Sequence, residues 1–376
     1  MSFSVGIVKE TSEYEKRVSA TPDTVKKIVS MGGNVTIESG AGESASFADD
    51  LYSDAGATIE KDRKKIISKS DIVLHVQESG NLRGLAADTI LMGLLDPYFN
   101  QDKIDQLSKD KITAFSMELV PRITRAQAMD VLSSQSNLAG YKAVLDATEH
   151  FPRAFPMMMT AAGTVPPAKV FVMGAGVAGL QAIATAKRLG AIVSATDVRP
   201  AAKEQVQSLG GNFVAVEDDE FKEAETAGGY AKEMSDEYKK KQAALVEEHI
   251  AKQDIVITTA LIPGRPAPKL ISESMVQSMK PGSVIVDMAV ENGGNCELSE
   301  KGEVINHNGV TVIGHANIAS RLPTDSSSLY AKNLLNLLGL IIKDEKIEID
   351  WDDEIIQGIT LTKGGEIIHP NFKKDS

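Results

Sequence analysis

The chain has 376 residues, which is too long for one ordinary hydrophobic core and favours two domains. Its composition is 42% hydrophobic and 24% charged, values that exclude disordered and fibrous proteins. The net charge of −12 excludes an extended nucleic-acid surface, because such a surface needs clustered lysines and arginines to neutralise phosphates.

The single cysteine and the absence of a signal-peptide pattern favour a reducing compartment. Cys296 has no partner for an internal disulfide, and it is interpreted as a bystander rather than a nucleophile. Phe3–Lys9 is typical of a short strand and lacks the basic start of a signal peptide. The apolar run Leu334–Ile342 has about half the length of a membrane span. We therefore expect a cytoplasmic protein without a transmembrane segment of its own.

The first third of the chain alternates short apolar runs with helical patterns, which is typical of a doubly wound parallel sheet. A helix is predicted to begin after Thr21, because Thr-Pro-Asp forms an N-cap with proline at the first helical position. A long helical pattern from Thr124 to Val144 is predicted to carry the chain into the next domain. The predicted strands of this region are Val5–Val8, Asn34–Ile37, Ile72–Val76 and Thr89–Leu95.

A second set of strands follows, and its six members are the number that a complete dinucleotide-binding domain requires. Between 216 and 249 lies a polar segment that is too long for a usual connection unless it carries a helix or a mobile functional loop. A helix at Ser328–Ile341 and a weakly alternating tail are predicted to return to the first domain. The predicted strands are Lys169–Met173, Ile192–Thr196, Phe213–Val216, Ile255–Thr259, Ser283–Asp287 and Val310–Ile313.

These patterns predict an α/β protein with two doubly wound parallel-sheet, Rossmann-like domains. The first domain is predicted to be discontinuous and closed by the C-terminal segment, with residues 1–133 and 323–376. The second is predicted to be the dinucleotide-binding Rossmann domain, with residues 138–318.

The strongest chemical signal is a strand that runs into three glycines and then into a helix. Gly174 permits a tight turn, Gly176 lets the backbone approach a pyrophosphate, and Gly179 lets helix and strand pack closely. Asp197 ends the next strand, where a carboxylate can accept both ribose hydroxyls of adenosine, so NAD(H) is predicted over NADP(H). Arg199 is the contrary sign, because an arginine can hold the 2′-phosphate of NADP(H). The alternative is that these glycines only form a turn.

The chain as a whole resembles the alanine dehydrogenase and nicotinamide nucleotide transhydrogenase family. Gly6–Glu10 and Arg17–Pro22 resemble the N-terminal motif that both branches share, and the glycine fingerprint adds to it. Met117–Gly140 is similar to the transhydrogenase segment that meets the nicotinamide end of the nucleotide. Ala224–Met234 resembles the mobile loop that closes over bound nucleotide in that branch. The resemblance implies the NAD(H)-binding soluble component of a proton-translocating transhydrogenase.

The resemblance also implies site residues, since hydride transfer between two nicotinamides needs positioning groups rather than a protein acid or base. Arg122 and Asp130 can pair against the carboxamide, although the residues alone would indicate solvated helix charges. Arg125 is interpreted as a bystander, and no metal site is expected. The implied transfer residues are Arg122, Gln127, Asp130, Ser133 and Tyr230, and the implied cofactor-binding residues are Gly174, Gly176, Val177, Gly179, Asp197, Val198, Arg199, Gly229 and Leu261.

One glycine fingerprint provides for one nucleotide, so the resemblance implies that NADP(H) binds to a partner component. In the family, that partner is joined to a membrane component that conducts protons. We therefore expect NADP(H)-binding and membrane-spanning partner subunits, a homodimer of this chain, and a cytoplasmic position peripheral to the inner membrane. The chain is either a separate subunit or a longer protein cut before its membrane segments, and the sequence does not distinguish the two.

Two other functions stay open on the sequence. The first is an amino-acid or 2-oxoacid dehydrogenase with its substrate near Arg17 and His75. Alanine dehydrogenases carry a lysine in the segment equivalent to 74–78 and a histidine after the next strand, whereas this chain offers His75 or Gln77, and Asp96. Such a site lacks an obvious acid or base, and His75 is interpreted as a half-buried strand residue. The second is a nucleotide-sensing module that binds NADH without hydride transfer.

Overall fold

The structure of the protein, a computed structural model, describes residues 3–77, 82–222 and 234–373. The strands are β1 Ser4–Ile7, β2 Asn34–Glu38, β3 Thr58–Glu60, β4 Ile72–Gln77, β5 Ile90–Leu94, β6 Thr113–Ser116, β7 Met158–Thr160, β8 Gly163–Val165, β9 Lys169–Met173, β10 Ile192–Thr196, β11 Asn212–Phe213, β12 Ile255–Thr258, β13 Val284–Asp287, β14 Val304–His307, β15 Val310–Ile313, β16 Ile342–Lys343, β17 Lys346–Ile347, β18 Thr360–Lys363 and β19 Glu366–Ile367. The α-helices are α1 Pro22–Ser30, α2 Asp49–Asp54, α3 Arg63–Lys69, α4 Gln101–Lys109, α5 Val131–His150, α6 Val177–Arg188, α7 Ala201–Ser208, α8 Asp219–Lys222, α9 Asp236–Ile250, α10 Glu273–Ser278, α11 Pro323–Ile341 and α12 Glu354–Ile359. Short 3-10 helices lie at Glu43–Ala45, Met117–Leu119, Thr124–Met129, Val290–Asn292 and Ile318–Arg321.

The chain divides into two compact units. The first unit comprises Met1–Gln135 and Ala319–Ser376, and the second unit comprises Ser136–Ile318. Each unit is built around its own mainly parallel sheet. The fold class predicted from the sequence, with two doubly wound domains of which the first is closed by the C-terminal segment, is therefore confirmed. Among the described residues, no helix is long and apolar enough to cross a bilayer.

The sheet of the first unit has the strand order β19-β18-β6-β5-β4-β1-β2-β3. Strands β1 to β6 pair in parallel, and the C-terminal hairpin β18–β19 extends the sheet through antiparallel pairing of β18 with β6. Helices α1, α2 and α11 cover one face of this sheet, and α3 and α4 cover the other. Because both faces are covered, the central strands are apolar along almost their whole length, as in β4.

The sheet of the second unit has the strand order β11-β10-β9-β12-β13-β15-β14. The six predicted strands are present and parallel, in the order of a dinucleotide-binding domain, and β14 adds an antiparallel edge. Helices α5, α6 and α7 cover one face, and α9 and α10 cover the other. The third strand is shorter than predicted, since only Asn212–Phe213 pairs where the sequence indicated Phe213–Val216.

The prediction of one continuous helix from Thr124 to Val144 is wrong at its N-terminal end. Thr124–Met129 forms a separate 3-10 helix, and α5 begins only at Val131. The cause is Asp130, whose carboxylate accepts the backbone N–H of Ser133 at 2.9 Å and also its hydroxyl at 2.5 Å. An aspartate bonded in this way acts as an N-cap, so it starts a helix instead of continuing one.

Candidate nucleotide-binding site

A tight turn follows β9 in the second unit, and a glycine is required at its first position. Gly174 has a φ of 105°, in the left-handed region that L-residues avoid. A Cβ there would also lie 2.6 Å from Oγ1 of Thr259. The Gly174 N–H bonds to the carbonyl oxygen of Thr196 at 2.9 Å, which fixes the turn against the neighbouring strand.

The second and third glycines of the motif have different surroundings. A Cβ on Gly179 would lie 1.8 Å from the carbonyl oxygen of Gly174, so only glycine lets α6 pack on the turn. A Cβ on Gly176 would meet no atom within 4 Å. Gly176 is also the N-cap of α6 and forms no side-chain bond to its first turn. The N-terminus of this twelve-residue helix therefore faces open space, where its N–H groups and dipole favour a pyrophosphate.

The acidic residue of the motif is held by an arginine. Asp197 follows β10 and accepts the backbone N–H of Ala175 at 2.7 Å. Arg199 donates to the same carboxylate from Nε at 2.9 Å and from Nη2 at 3.1 Å, and it also donates to the carbonyl of Ala175 at 3.2 Å. Arg199, which on the sequence alone is a sign of NADP(H), is therefore already paired with Asp197. Asp197 also accepts the backbone N–H of Arg199 at 2.9 Å, so its roughly four lone-pair sites are occupied, and a ribose diol would bind there by displacing one of these donors.

Exposed apolar side chains lie beside this turn. Val177, Val198 and Leu261 are 41%, 53% and 52% exposed. They follow β9, β10 and β12, which are neighbours in the sheet, so they share one edge. Apolar side chains grouped at the carboxyl ends of parallel strands are typical of a face that a ligand covers. These are three of the residues that the family resemblance assigns to the adenosine side.

Three polar residues that support this edge were missed from the sequence. Thr259 donates from Oγ1 to the carbonyl of Gly174 at 3.0 Å. Asn295 is fully buried, accepts the N–H of Ala260 at 3.0 Å and donates back to its carbonyl at 2.9 Å. Asp287 accepts the N–H of Ala289 and three further hydrogen bonds at the end of β13. No local pattern marks Thr259 and Asn295, because their partners Gly174 and Ala260 are distant in sequence.

The residues that the resemblance assigns to the reacting end of the nucleotide lie in the first unit. Arg122 and Gln127 are exposed, and Asp130 and Ser133 bond to each other as the cap of α5. Gly229 and Tyr230 lie outside the described residues. Arg125, which the sequence analysis interprets as a bystander, forms a surface ion pair. Its guanidinium donates two hydrogen bonds to the carboxylate of Asp353, at 2.7 and 3.0 Å.

A second group of charged residues is buried in the first unit, around Arg17. Its guanidinium donates to Glu15 at 2.8 and 2.6 Å and to Gln135 at 2.8 Å. Both members of the Arg17–Glu15 pair are buried. Nearby, burial raises the pKa of Glu10 to about 8, although its carboxyl accepts the N–H of Val76 at 2.6 Å. Arg17 is thus held by the chain's own acceptors.

The histidine considered as a candidate substrate residue is fully buried rather than half-buried. His75 lies in β4, is 1% exposed, and its two ring nitrogens have no hydrogen-bond partner among the described residues. The ring occupies the space above Gly93, where a Cβ would lie 2.4 Å from Nε2. Burial, with a smaller effect from Lys103, lowers the pKa of His75 to about 3. A ring in this environment stays neutral and has no route to relay a proton.

His75→Leu is expected to raise the free energy of unfolding by about 1 kcal/mol at pH 7.5, because two unsatisfied buried nitrogens are removed. The gain should grow as the pH falls from 6.5 towards about 3, because the unfolded histidine binds a proton that the folded ring refuses. The parent protein loses on the order of 1.4 kcal/mol per pH unit in that window. Urea titrations at pH 7.5 and 5.5, followed by the fluorescence of Trp351, measure both effects.

His249→Leu is the matched control for this substitution, and its unfolding is followed by circular dichroism because His249 lies in the second unit and Trp351 in the first. The His249 ring bonds to Ser194 at 2.8 Å and to Gln253 at 3.1 Å, so its removal should destabilise the protein. Equal destabilisation by both substitutions would mean that His75 has a partner that stabilises it, and would refute the burial argument.

Comparisons with known proteins agree with this architecture. The family model "Alanine dehydrogenase/PNT, N-terminal domain" matches residues 6–139, and "Alanine dehydrogenase/PNT, C-terminal domain" matches residues 143–370. An NAD(P) transhydrogenase alpha subunit of Rhodospirillum rubrum is 55% identical over 98% of both chains. The crystal structure of transhydrogenase from Sinorhizobium meliloti is 51% identical, with a TM-score of 0.88 over 97% of this chain and 100% of that one. Alanine dehydrogenase of Methanococcus maripaludis is 29% identical over 79% of this chain and 74% of its own.

Proposed function

The chain belongs to the alanine dehydrogenase/PNT family, on the branch of the NAD(P) transhydrogenase alpha subunits, and we propose that it is the component that binds NAD(H). The observation that carries the proposal is the open N-terminus of α6 beside Gly176, next to a turn that only glycine can form. The exposed apolar edge and the carboxylate of Asp197 lie at the same end of the same sheet.

In this proposal, described residues contact the pyrophosphate, the ribose and the adenine of the adenosine half of the nucleotide. The N–H groups at the start of α6 would hold the pyrophosphate, and Asp197 would accept the ribose hydroxyls. Val177, Val198 and Leu261 would cover the apolar faces of the adenosine. Because Asp197 opposes a 2′-phosphate and Arg199 is already bonded to it, NAD(H) should bind in preference to NADP(H).

Bound NAD(H) supplies the hydride chemistry, and the protein supplies orientation and the exclusion of water. The resemblance assigns the reacting end of the nucleotide to Arg122, Gln127, Asp130 and Ser133, with Tyr230 closing over it and Gly229 providing freedom of movement. These roles are proposed from the sequence alone. An exposed amide such as that of Gln127 is suited to orienting a ligand, since it can both donate and accept a hydrogen bond.

The acceptor of the hydride is proposed to be NADP(H) on a partner component, with a membrane-spanning component that couples the transfer to proton movement. The relative from Rhodospirillum rubrum is named as a subunit, a word that indicates further components. A cytoplasmic position at the inner membrane follows from that partner. A homodimer is proposed as well, supported by the hairpin β7–β8, in which Met158 and Met159 are 43% and 79% exposed and before which Met157 is 58% exposed.

The free-standing dehydrogenase is disfavoured by the surroundings of its candidate residues. The guanidinium of Arg17 is bonded to Glu15 and Gln135, and His75 is buried and neutral. Asp96, which has a φ of 47°, donates its backbone N–H to the carboxylate of Glu118. The Asp96 residue is exposed, but neither Arg17 nor His75 is placed as a general acid or base on an open face.

Reconstitution with the NADP(H)-binding component tests the proposed function. Stopped-flow mixing should show hydride transfer from NADH bound to this chain to an NADP⁺ analogue on the partner. NADH binding without any transfer would indicate a sensing module. NAD⁺-dependent oxidation of alanine by the chain alone would indicate the dehydrogenase instead.

Asp197→Asn is expected to narrow the preference for NADH over NADPH by about tenfold. The substitution removes the charge that repels a 2′-phosphate and frees Arg199 to bind one, effects that together amount to about 1.4 kcal/mol. Fluorescence titration of both nucleotides measures the ratio of the two dissociation constants. The control is Asp254→Asn, whose carboxylate pairs with Arg153 away from the glycine turn and should leave the ratio unchanged. Equal affinities in the parent protein would remove the assigned role of Asp197.

A further inference from the structure

The first unit repeats the strand order of the second. Its six parallel strands run β3-β2-β1-β4-β5-β6, which matches β11-β10-β9-β12-β13-β15 strand for strand. In this alignment β2 corresponds to β10, and each of the two strands leads to an acidic residue at its carboxyl end. That residue is Glu38 in the first unit and Asp197 in the second.

The hydrogen bonds of the two carboxylates also match. Glu38 accepts the backbone N–H of Lys9 at 2.8 Å, just as Asp197 accepts that of Ala175, and both donors lie two residues after the first strand of their unit. Arg63 donates from Nε to Glu38 at 2.9 Å and from Nη2 to the Lys9 carbonyl. Arg199 makes the same two contacts with Asp197 and Ala175.

The two arginines occupy different positions relative to their carboxylates in the sequence. Arg199 follows its carboxylate by two residues, whereas Arg63 begins α3, beyond the third strand. A feature kept only as a trace of duplication would take its arginine from the equivalent position. The recurrence with a different arginine instead indicates that a neutralised carboxylate at this edge is useful in both units.

A cavity of about 790 Å³ lies beside Glu38, within the size range of small-molecule sites. Oε2 of Glu38 accepts both bonds described above, while Oε1 accepts none from the described residues. Lys64 and Arg83 are exposed on the cavity wall, and neither forms an ion pair within the described ranges. The cavity therefore offers two cations, Oε1 of Glu38 and the exposed carboxylate of Asp62, whose Oδ1 accepts the backbone N–H of Lys64 at 3.0 Å. Its lining is Thr11, Glu38, Asp62, Arg63, Lys64, Ile67 and Arg83.

The first unit lacks the means to hold a dinucleotide. The residues after β1 are Val8, Lys9 and Glu10 where the second unit has Gly174, Ala175 and Gly176. The Glu10 carboxyl accepts the N–H groups of Val76 and Gln77 at 2.6 and 3.3 Å, at the end of β4 next to β1. A carboxyl group in the place where a pyrophosphate would bind excludes that group by volume. A ligand at Glu38 must therefore be small.

We propose that the first unit holds a second ligand site, beside Glu38, that takes a small sugar phosphate. Glu38 accepts a sugar hydroxyl through Oε1, as Asp197 is expected to do for ribose, and Lys64 and Arg83 bind the phosphate. This site goes beyond the nucleotide site of the second unit and shares no residue with it. Its occupant is too small to replace NAD(H).

Ribose 5-phosphate and inorganic phosphate are the probes, titrated by calorimetry into the full chain saturated with NADH. We expect ribose 5-phosphate to bind at one site per chain and more tightly than phosphate. The double substitution Lys64→Gln with Arg83→Gln should weaken ribose 5-phosphate by at least about tenfold, because charge-assisted hydrogen bonds are lost. Glu38→Gln should weaken ribose 5-phosphate by about tenfold and leave phosphate within about twofold.

The matched control is Lys61→Gln with Lys69→Gln, two exposed lysines of the same segment that do not line the cavity. Two results would mean an adventitious anion only and would overturn the proposal. In the first, the control pair weakens the binding of ribose 5-phosphate as much as the double substitution does. In the second, the two probes bind with equal affinity, and Glu38→Gln changes neither affinity. If NADH competes with the probe, the probe binds at the glycine turn of the second unit, and the proposal is also overturned. NADH affinity is measured in each variant, so failure here is distinct from failure of the nucleotide site. Trp351 fluorescence checks that each variant is folded.

Discussion

Gly179→Ala is expected to weaken NADH binding roughly a hundredfold, about 2.8 kcal/mol of binding free energy. The added Cβ would lie 1.8 Å from the carbonyl oxygen of Gly174, an overlap with backbone that no side-chain rotation relieves. Helix α6 must then move off the turn, and its N-terminal N–H groups move with it. Overpacking of this kind also lowers the free energy of unfolding, by about 2 kcal/mol. Fluorescence titration with NADH and thermal unfolding followed by circular dichroism measure the two effects.

Two further glycines separate ligand binding from folding. Gly176→Ala adds a Cβ in open space, on a backbone with a φ of −74° that alanine adopts freely. Stability should change little, because the lower entropy of the unfolded chain is offset by the poorer N-cap that alanine makes. NADH should nevertheless bind more weakly, because the methyl group occupies the approach of the pyrophosphate. Gly339→Ala, inside α11 with no atom near the added Cβ, should alter neither binding nor folding adversely. Unchanged NADH affinity in Gly176→Ala would refute the proposed position of the pyrophosphate.

Much of the fold could be predicted from periodicity because both sheets are covered on both faces. Strands buried on two sides are short apolar runs, and the spacing of such runs indicated parallel strands joined by helices. The errors occurred where a single side chain or a distant pairing decides the structure. Asp130 interrupts a helical pattern because its carboxylate bonds to Ser133. The tail, which was correctly predicted to close the first domain, forms strands β18 and β19, and β18 pairs with β6, far away in sequence.

The residues of the candidate site likewise include some that could be predicted from the sequence and some that could not. The three glycines and Asp197 could be found because their spacing is a local requirement of a strand, a turn and a helix. The pairing of Arg199 with Asp197 could not be inferred, since an arginine two residues away can turn towards the carboxylate or towards a ligand. Asn295 could not be found at all, because its role depends on meeting Ala260 across the folded chain. The recurrence at Glu38 likewise needs the sheet order of both units.

Arg17→Met is expected to lower the free energy of unfolding of the first unit by about 3 to 5 kcal/mol. The substitution leaves the carboxylate of Glu15 buried without its countercharge, although Ser320 and a backbone N–H still donate to it. The single tryptophan, Trp351, lies in the first unit and reports its unfolding in a urea titration. Because the cost comes from the remaining charge, adding Glu15→Gln to Arg17→Met should recover most of the lost stability.

Arg125→Met is the matched control, because Arg125 also forms a bidentate pair with a carboxylate but on an exposed side chain. It should cost less than about 1 kcal/mol, since water screens the pair. A similarly small cost for Arg17→Met would mean that Glu15 does not depend on Arg17. The guanidinium would then be available to a substrate carboxylate, and the dehydrogenase alternative would regain the one charged group that its site needs.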